Sequence, residues 1–515
     1  MRWGTRRPYL RLTVACLLGV AGVGVGLAAP APGFVPVSPL DHLLVKGLAA
    51  QGLHGAPRCR DDVFLRRVYL DLTGSIPTVA EARAFLADER PGKRAQLIEA
   101  LMERPGFADY WTLKWCDILR VKAEFPINLW PNGVQAYARW IHEAVDTNMG
   151  YDHFARAMLT ANGSNFRVPP VNFYRAVQGE EPATLATAVA LTFMGTRLEQ
   201  WPASKQANLA AFFSRVAFKG TAEWKETIVY PDPAPHERLP VTFPDGRRLV
   251  LGGDDDPRLV FADWLLAPDN PWFARCIVNR VWYWFFGTGF IDAPDDIRPD
   301  NPAVHPEMLK LLETVLVSHD YDLRHLFRVI LNSSTYQQRS AVPRITPRTD
   351  RWFARYPTRR LDAEVLLDAL ADTCGLREQY SSAIPEPFTF IPREHRTVML
   401  TDGSISSPLL KMFGRPARDT GQAEERSREP TREQRLVLIN SSRIQNAISR
   451  RVKPLMERDG GADGVALLYL TVLSRFPSPE EERFVQAYVK KHRGPLGWKE
   501  LLWALLNSKE FLYQH

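Results

Sequence analysis

Cysteine is scarce: five residues in a chain of 515, with no two at metal-knuckle spacing. That excludes a zinc ribbon or finger built on paired cysteines. Beyond the leader there is no Gly-x-Ser-x-Gly elbow, no Walker loop and no dinucleotide fingerprint. His142-Glu143 lacks the second histidine of a zinc-protease helix, because position 146 is Asp146. No dense Lys/Arg stripe interleaved with aromatics occurs, so nucleic acid is not an expected partner. No cofactor and no metal site are expected.

What is present is a globular composition, 45% hydrophobic and 24% charged, with 40 prolines and 14 tryptophans. The length favours two domains over one core. The net charge of +7 overstates the basicity of the folded part. Arg2, Arg6, Arg7 and Arg11 lie in a leader without acidic residues, and setting these four aside leaves about +3. Thr5-Arg6-Arg7-Pro8-Tyr9-Leu10-Arg11 fits the twin-arginine export pattern, and a Gly-rich apolar run from Leu12 to Ala29 follows. Small residues at Ala28 and Ala29 suit signal peptidase, while the run of about 18 residues leaves retention as an anchor open. The expectation is export to the periplasm or cell envelope, with no stable membrane span once the signal is removed. Cys16 leaves with the leader. Cys59, Cys116, Cys276 and Cys374 remain, either as buried small hydrophobes or in disulfides of undetermined pairing.

The pattern predicts a mainly α chain: helical bundles in two domains, with a duplicated helical hairpin and one small β-hairpin near the boundary. The divisions read as a signal peptide over 1–31, a linker with one short helix over 32–58, and a front helical domain over 59–218. A linker with the hairpin follows over 219–257, then a rear helical domain over 258–515. Tyr69, Pro77, Thr78, Glu81 and Arg83 pair with Tyr469, Pro477, Ser478, Glu481 and Arg483 at a constant offset of about 400 residues. Each set reads as helix, proline turn and capped helix. Val241 to Val250 carries the hairpin around Pro244-Asp245-Gly246. Pro271 to Gly287 is apolar nearly all round and reads as a central buried helix, which makes Trp272, Trp282 and Trp284 core residues. The stretch Arg415 to Pro430 reads as a long exposed loop.

The best candidates for chemistry are Asp295, Asp296 and His305, with Arg298 beside them. Two carboxylates near a histidine could bind a divalent cation or act as acid and base in polysaccharide cleavage. They could equally cap a helix and pin a Pro-rich loop. Asp254, Asp255 and Asp256 lack the spacing of a calcium loop and suit the start of a helix near Pro257. Arg359 and Arg360 could clamp an anion or pair with acidic side chains of neighbouring helices. Trp130, flanked by Leu129 and Pro131, could stack on a sugar ring.

The runs Asp61 to Pro77, Asn279-Arg280-Val281-Trp282, Phe286-Gly287-Thr288-Gly289, Asp295-Asp296-Ile297-Arg298, His305-Pro306-Glu307 and Arg359 to Glu364 together carry a family likeness. The chain resembles exported two-domain proteins of unknown function typical of planctomycetes, a cytochrome-associated front module followed by a planctomycete-specific rear module. In many relatives Phe-Met/Leu-Gly-x-x-Leu leads into Cys-x-x-Cys-His, which attaches a c-type haem. Here Leu198 is followed by Glu199, Gln200, Trp201 and Pro202. Relatives often place cysteines after Phe-Gly-Arg-Pro as well, whereas Phe413-Gly414-Arg415-Pro416 is followed by none. The resemblance implies export, frequent fusion to cytochrome-like or carbohydrate-binding modules, and no settled activity. The expected role is a haem-less, non-catalytic accessory or binding protein for a partner enzyme or polysaccharide. The alternatives are a polysaccharide hydrolase using carboxylates of the 295–305 loop, and a redox partner that depends on a separate haem protein.

Overall fold

The computed structural model describes residues 33–123, 129–458, 462–492 and 494–515. The leader, with Cys16 and the twin arginines, lies outside the described residues. Helices dominate, as the periodicity predicts, and the strands form only small sheets. The hairpin lies where the turn chemistry puts it, Leu239–Thr242 against Arg248–Leu251. A three-stranded sheet, absent from the sequence reading, joins Thr227–Pro231 to Val216–Gly220 and Gly163–Ser164. Part of the presumed 219–257 linker is therefore paired strand. Among the described residues no helix is long and apolar enough to cross a membrane.

The helix Phe273–Phe286 is the centre of the core. Trp282 is wholly buried and stacks on Phe286 and Phe290 at 4.1 and 4.2 Å between centroids. Trp284 meets Trp111 and Trp115 of the helix Pro105–Ile118 edge-on, at 5.4 and 5.6 Å. One continuous apolar cluster thus includes residues of both predicted domains. Trp272, expected in the core, is only half-buried. Gly287 closes the central helix in the left-handed conformation at φ 79°, as its sequence position predicts.

The repeat is visible atom by atom. Asp61–Thr73 leads through Gly74 (φ 56°) to Val79–Ala87, and Ala462–Leu473 leads through Ser474 (φ 60°) to Pro479–Lys491. Thr78 and Glu81 form a reciprocal capping box, and Ser478 and Glu481 form the same one. Glu81 is ion-paired to Arg104 at 2.6 Å and Glu481 to Arg475 at 2.7 Å. The two hairpins abut: Arg66 donates to the Val472 carbonyl at 2.9 Å and to Ser474 Oγ at 3.3 Å.

The segment before the first hairpin is fastened as well. Its helix Pro39–Ala50 buries Asp41, which accepts bonds from the Ser334 and Thr335 backbone at 3.1 and 2.8 Å. The loop expected to be exposed at Arg415–Pro430 alternates between surface and interior: Ala417, Thr420, Glu424 and Ser427 are exposed, while Arg418 is fully buried, and Arg415 and Arg426 nearly so. Its charges are buried because they meet carboxylates there, as described below.

Gly74 occupies a left-handed turn, and a Cβ there would lie 2.5 Å from the Tyr110 ring. Gly74→Ala is expected to lower stability by about 2 kcal/mol, from backbone strain plus the clash. Urea unfolding checks this; a variant as stable as the parent would contradict the packing of this turn.

Candidate functional site

A cleft of about 660 Å³ combines apolar, amide and charged lining. One wall is the stretch Thr196–Lys205, and another is the loop Ile291–Pro306. Pro244 of the hairpin turn and the start of the central helix complete it. Its floor is fixed by Gly195, which is left-handed at φ 61°; a Cβ there would lie 2.9 Å from Ile297 and 3.1 Å from the Cys276 sulfur. The Gly195 carbonyl accepts from the Ile297 N–H at 2.8 Å and ties the two walls together. Trp201 and Trp272 face each other at 6.4 Å and 45°, and the indole N–H of Trp201 is held by Thr196 Oγ1 at 3.1 Å. Prolines 202, 244, 271, 299, 302 and 306 also line the cleft, so much of the wall has fixed φ. Lys205, Arg275 and Arg298 supply cations, and Gln200 and Asn301 supply amides.

The sequence-predicted residues separate here. Arg298 reaches the cleft, bonded to Asp296 and Asp300 at 3.2 Å each. Asp295 lies behind the wall with no exposed surface; one oxygen binds Arg280 at 2.5 Å and the other the Ala423 N–H at 2.6 Å. Arg280 also donates to the carbonyls of Leu191 and Thr192, so this pair holds the Phe-Met-Gly segment to the central helix. His305 is buried at the start of the helix Pro306–Ser318, with Nε2 3.1 Å from the Trp352 carbonyl. Burial, reinforced by Arg351, lowers its pKa. Asp295, Asp296 and His305 are thus each engaged with different partners and do not share a bond. Trp130 lies elsewhere, half-buried against Phe388 at 5.3 Å and near the exposed Trp224 at 6.5 Å. Asp256 caps the helix Pro257–Leu265, accepting from the Arg258 N–H at 3.0 Å.

Arg359 and Arg360 belong to a buried lattice of charge between the two halves. Lys114 and Asp117, both on the helix Pro105–Ile118, meet Asp362 and Arg426. Asp362 and Glu364 stand at the start of the helix Ala363–Cys374. Arg428 binds Asp362 at 2.8 Å, and Arg426 binds Glu364 at 2.5 Å and Asp117 at 2.7 Å. Arg418 adds a bond to Asp117 at 2.8 Å, and Arg359 pairs with Asp71. Burial alone would raise the Asp362 pKa, but Arg428, Lys114 and Arg426 outweigh it and hold it well below the usual range. The same contest, won by Arg426 and Arg415, brings Glu364 down to about 2.

All four described cysteines are free and buried. Burial pushes the Cys116 and Cys276 thiols up to about 12 and 11, which leaves them protonated and unreactive at neutral pH. Among the described residues no cluster of three or more His, Cys, Asp or Glu is arranged to hold a metal ion.

Sequence reasoning missed Trp201 and Trp272 as cleft residues, although the signal was available. The proline adjacency that singled out Trp130 recurs at Trp201-Pro202 and Pro271-Trp272.

Because the folded pKa of Glu364 is depressed from 4.5, its contribution is complete above pH 4.5 and is lost as the pH falls toward about 2. Glu364→Gln is expected to cost about 3–5 kcal/mol at neutral pH by stranding buried guanidinium groups. In urea unfolding across pH, that gap to the parent should narrow below pH 4.5; a constant gap would contradict the assigned ionisation.

No curated protein and no solved structure matches the chain. Two family profiles match in tandem, each described as a protein of unknown function: DUF1549 over residues 39–216 and DUF1553 over residues 257–489. With the cytochrome-associated unit in front and the planctomycete-specific unit behind it, the chain belongs to the planctomycete proteins built from these two domains of unknown function.

Proposed function

We propose that the protein is a non-catalytic binding protein of the cell envelope whose cleft holds a segment of polysaccharide. The observation that carries this reading is the cleft itself. Its size lies within the range of small-ligand sites, and its surface combines half-buried indoles with cations and amides. Indoles fixed by neighbouring contacts offer an apolar face to the C–H side of a sugar ring, while the indole N–H is already satisfied. Arg275 is paired with Glu313 at 2.8 Å and Arg298 with Asp296 and Asp300, so it is the exposed Lys205 that favours an acidic polymer, one bearing carboxylate or sulfate groups. The proline-lined walls limit the entropy lost on binding. Asp295 and His305 support a binding role over hydrolysis, since both oxygens of Asp295 and Nε2 of His305 are already bonded and both side chains are buried.

Titration of intrinsic tryptophan fluorescence with acidic envelope polysaccharide tests the reading. Binding should weaken about tenfold in Trp201→Ala, equivalent to about 1.4 kcal/mol of lost stacking, with the far-ultraviolet dichroism unchanged. Absence of binding by the parent would remove the polysaccharide, and a stoichiometric envelope protein recovered instead would point to a docking role.

The location rests on the leader. Replacing Arg6 and Arg7 together by lysine is expected to retain the protein in the cytoplasm, as read by cell fractionation. Unchanged export of that variant would rule out the twin-arginine route.

A further inference from the structure

The charged lattice between the two halves is unequal. Seven cations (Lys114, Arg359, Arg360, Arg415, Arg418, Arg426 and Arg428) meet four carboxylates, those of Asp71, Asp117, Asp362 and Glu364. Cationic excess of this size is expensive in a poorly solvated interior. The imbalance is concentrated at Arg360, which is 5% exposed. Its three bonds all go to carbonyls, those of Arg428, Phe413 and Ser427 at 3.1, 2.8 and 2.8 Å, and none to a carboxylate. Asp362, and less strongly the exposed Glu429, act on it electrostatically without a hydrogen bond.

Among the described residues Nη1 of Arg360 and Nη1 of Arg428 have no hydrogen-bond partner. Both side chains line one small crevice, together with Arg359, Tyr110, Gln514 and Asp362. The only carboxylate on its wall, Asp362, is already shared between Lys114 and Arg428. The crevice measures about 10 Å³, near the lower limit for one water-sized occupant. That size suits a compact particle. Two orphaned guanidinium donors, a third arginine beside them and room for a single compact particle define an anion site.

We propose that this crevice binds one compact inorganic anion, of the size of chloride, between Arg360 and Arg428. The anion satisfies the two free donors and offsets part of the charge excess. It thereby fastens the Arg428 segment to the short strand Arg359–Arg360, which pairs with Tyr513–Gln514, at the seam where the rear half meets Lys114 of the front half. Stability then depends on the identity of the anion and not only on ionic strength.

Two measurements on the full protein test this. Crystals grown in sodium bromide and measured at the bromine absorption edge should give an anomalous peak between Arg360 and Arg428. In solution, the unfolding midpoint should be about 2 °C higher in sodium chloride than in sodium gluconate at equal ionic strength, and the difference should saturate. Arg360→Gln should abolish the chloride dependence. If that variant does not fold, Arg428→Lys serves, since it keeps a charge on Asp362 and removes the free guanidinium nitrogen. Equal midpoints in chloride and gluconate, or no bromide peak, overturn the proposal. A peak without chloride-dependent stabilisation marks an adventitious ion only and overturns it as well.

Discussion

Asp117, Asp362 and Glu364 are three buried carboxylates that bind together three segments distant in sequence, the helix Pro105–Ile118, the start of the helix Ala363–Cys374 and the stretch from Phe413 to Arg428. Arg426 donates to two of them at once, to Asp117 from the front half and to Glu364 from the rear. Since these groups are out of water, removing any one strands its partners, so the lattice is held as a unit. The chain around it follows from this constraint. An otherwise irregular stretch from Phe413 to Arg428 is drawn inward, its carbonyls turned to Arg360. Arg418 and Arg415 cover the remaining acceptors, including the carbonyls of Val121, Leu400 and Asp402.

The central helix supplies what the lattice cannot, a large apolar area. Its aromatic face interlocks with Trp111 and Trp115 of the same helix that carries Lys114 and Asp117. The helix Pro105–Ile118 therefore has two distinct faces, an aromatic one on the core and a charged one on the lattice. Both contact the rear half of the chain. That dual use explains why the apolar cluster continues across the boundary between the two family matches. Arg280 and Asp295 repeat the scheme on a smaller scale, one buried pair that anchors both the Asp295 loop and the Leu191–Thr192 turn.

Features set by near neighbours were legible in the sequence. The capping boxes at Thr78 and Ser478 need only residues three apart, and the Gly287 stop needs only its own φ, so both follow from the local pattern. The lattice was not legible, because its partners stand far apart along the chain: Lys114 and Asp362 are separated by 248 residues, and Arg418 and Asp117 by 301. A run of arginine, glutamate and proline looks solvated until the opposing charges are placed beside it. The same difficulty affected the site residues. Asp295 and Asp296 are consecutive, yet one is sealed on Arg280 and the other tied to surface Arg298, a division that loop geometry decides. Trp201 and Trp272 come from opposite sides of the hairpin and converge only through the fold.

The cleft is a consequence of this joint more than of either half alone. The turn after Gly195 belongs to the front, the Asp295 loop to the rear, and one backbone bond from Ile297 to Gly195 sets their spacing. In many relatives, by the resemblance, the segment after this turn carries the haem-attachment cysteines and histidine. Here it carries Glu199, Gln200 and Trp201, and the indole of Trp201 forms a wall of the cleft. In this chain the segment gives the cleft an aromatic surface. The surrounding framework, with its buried Arg280, left-handed Gly195 and proline-braced loop, holds that segment in place.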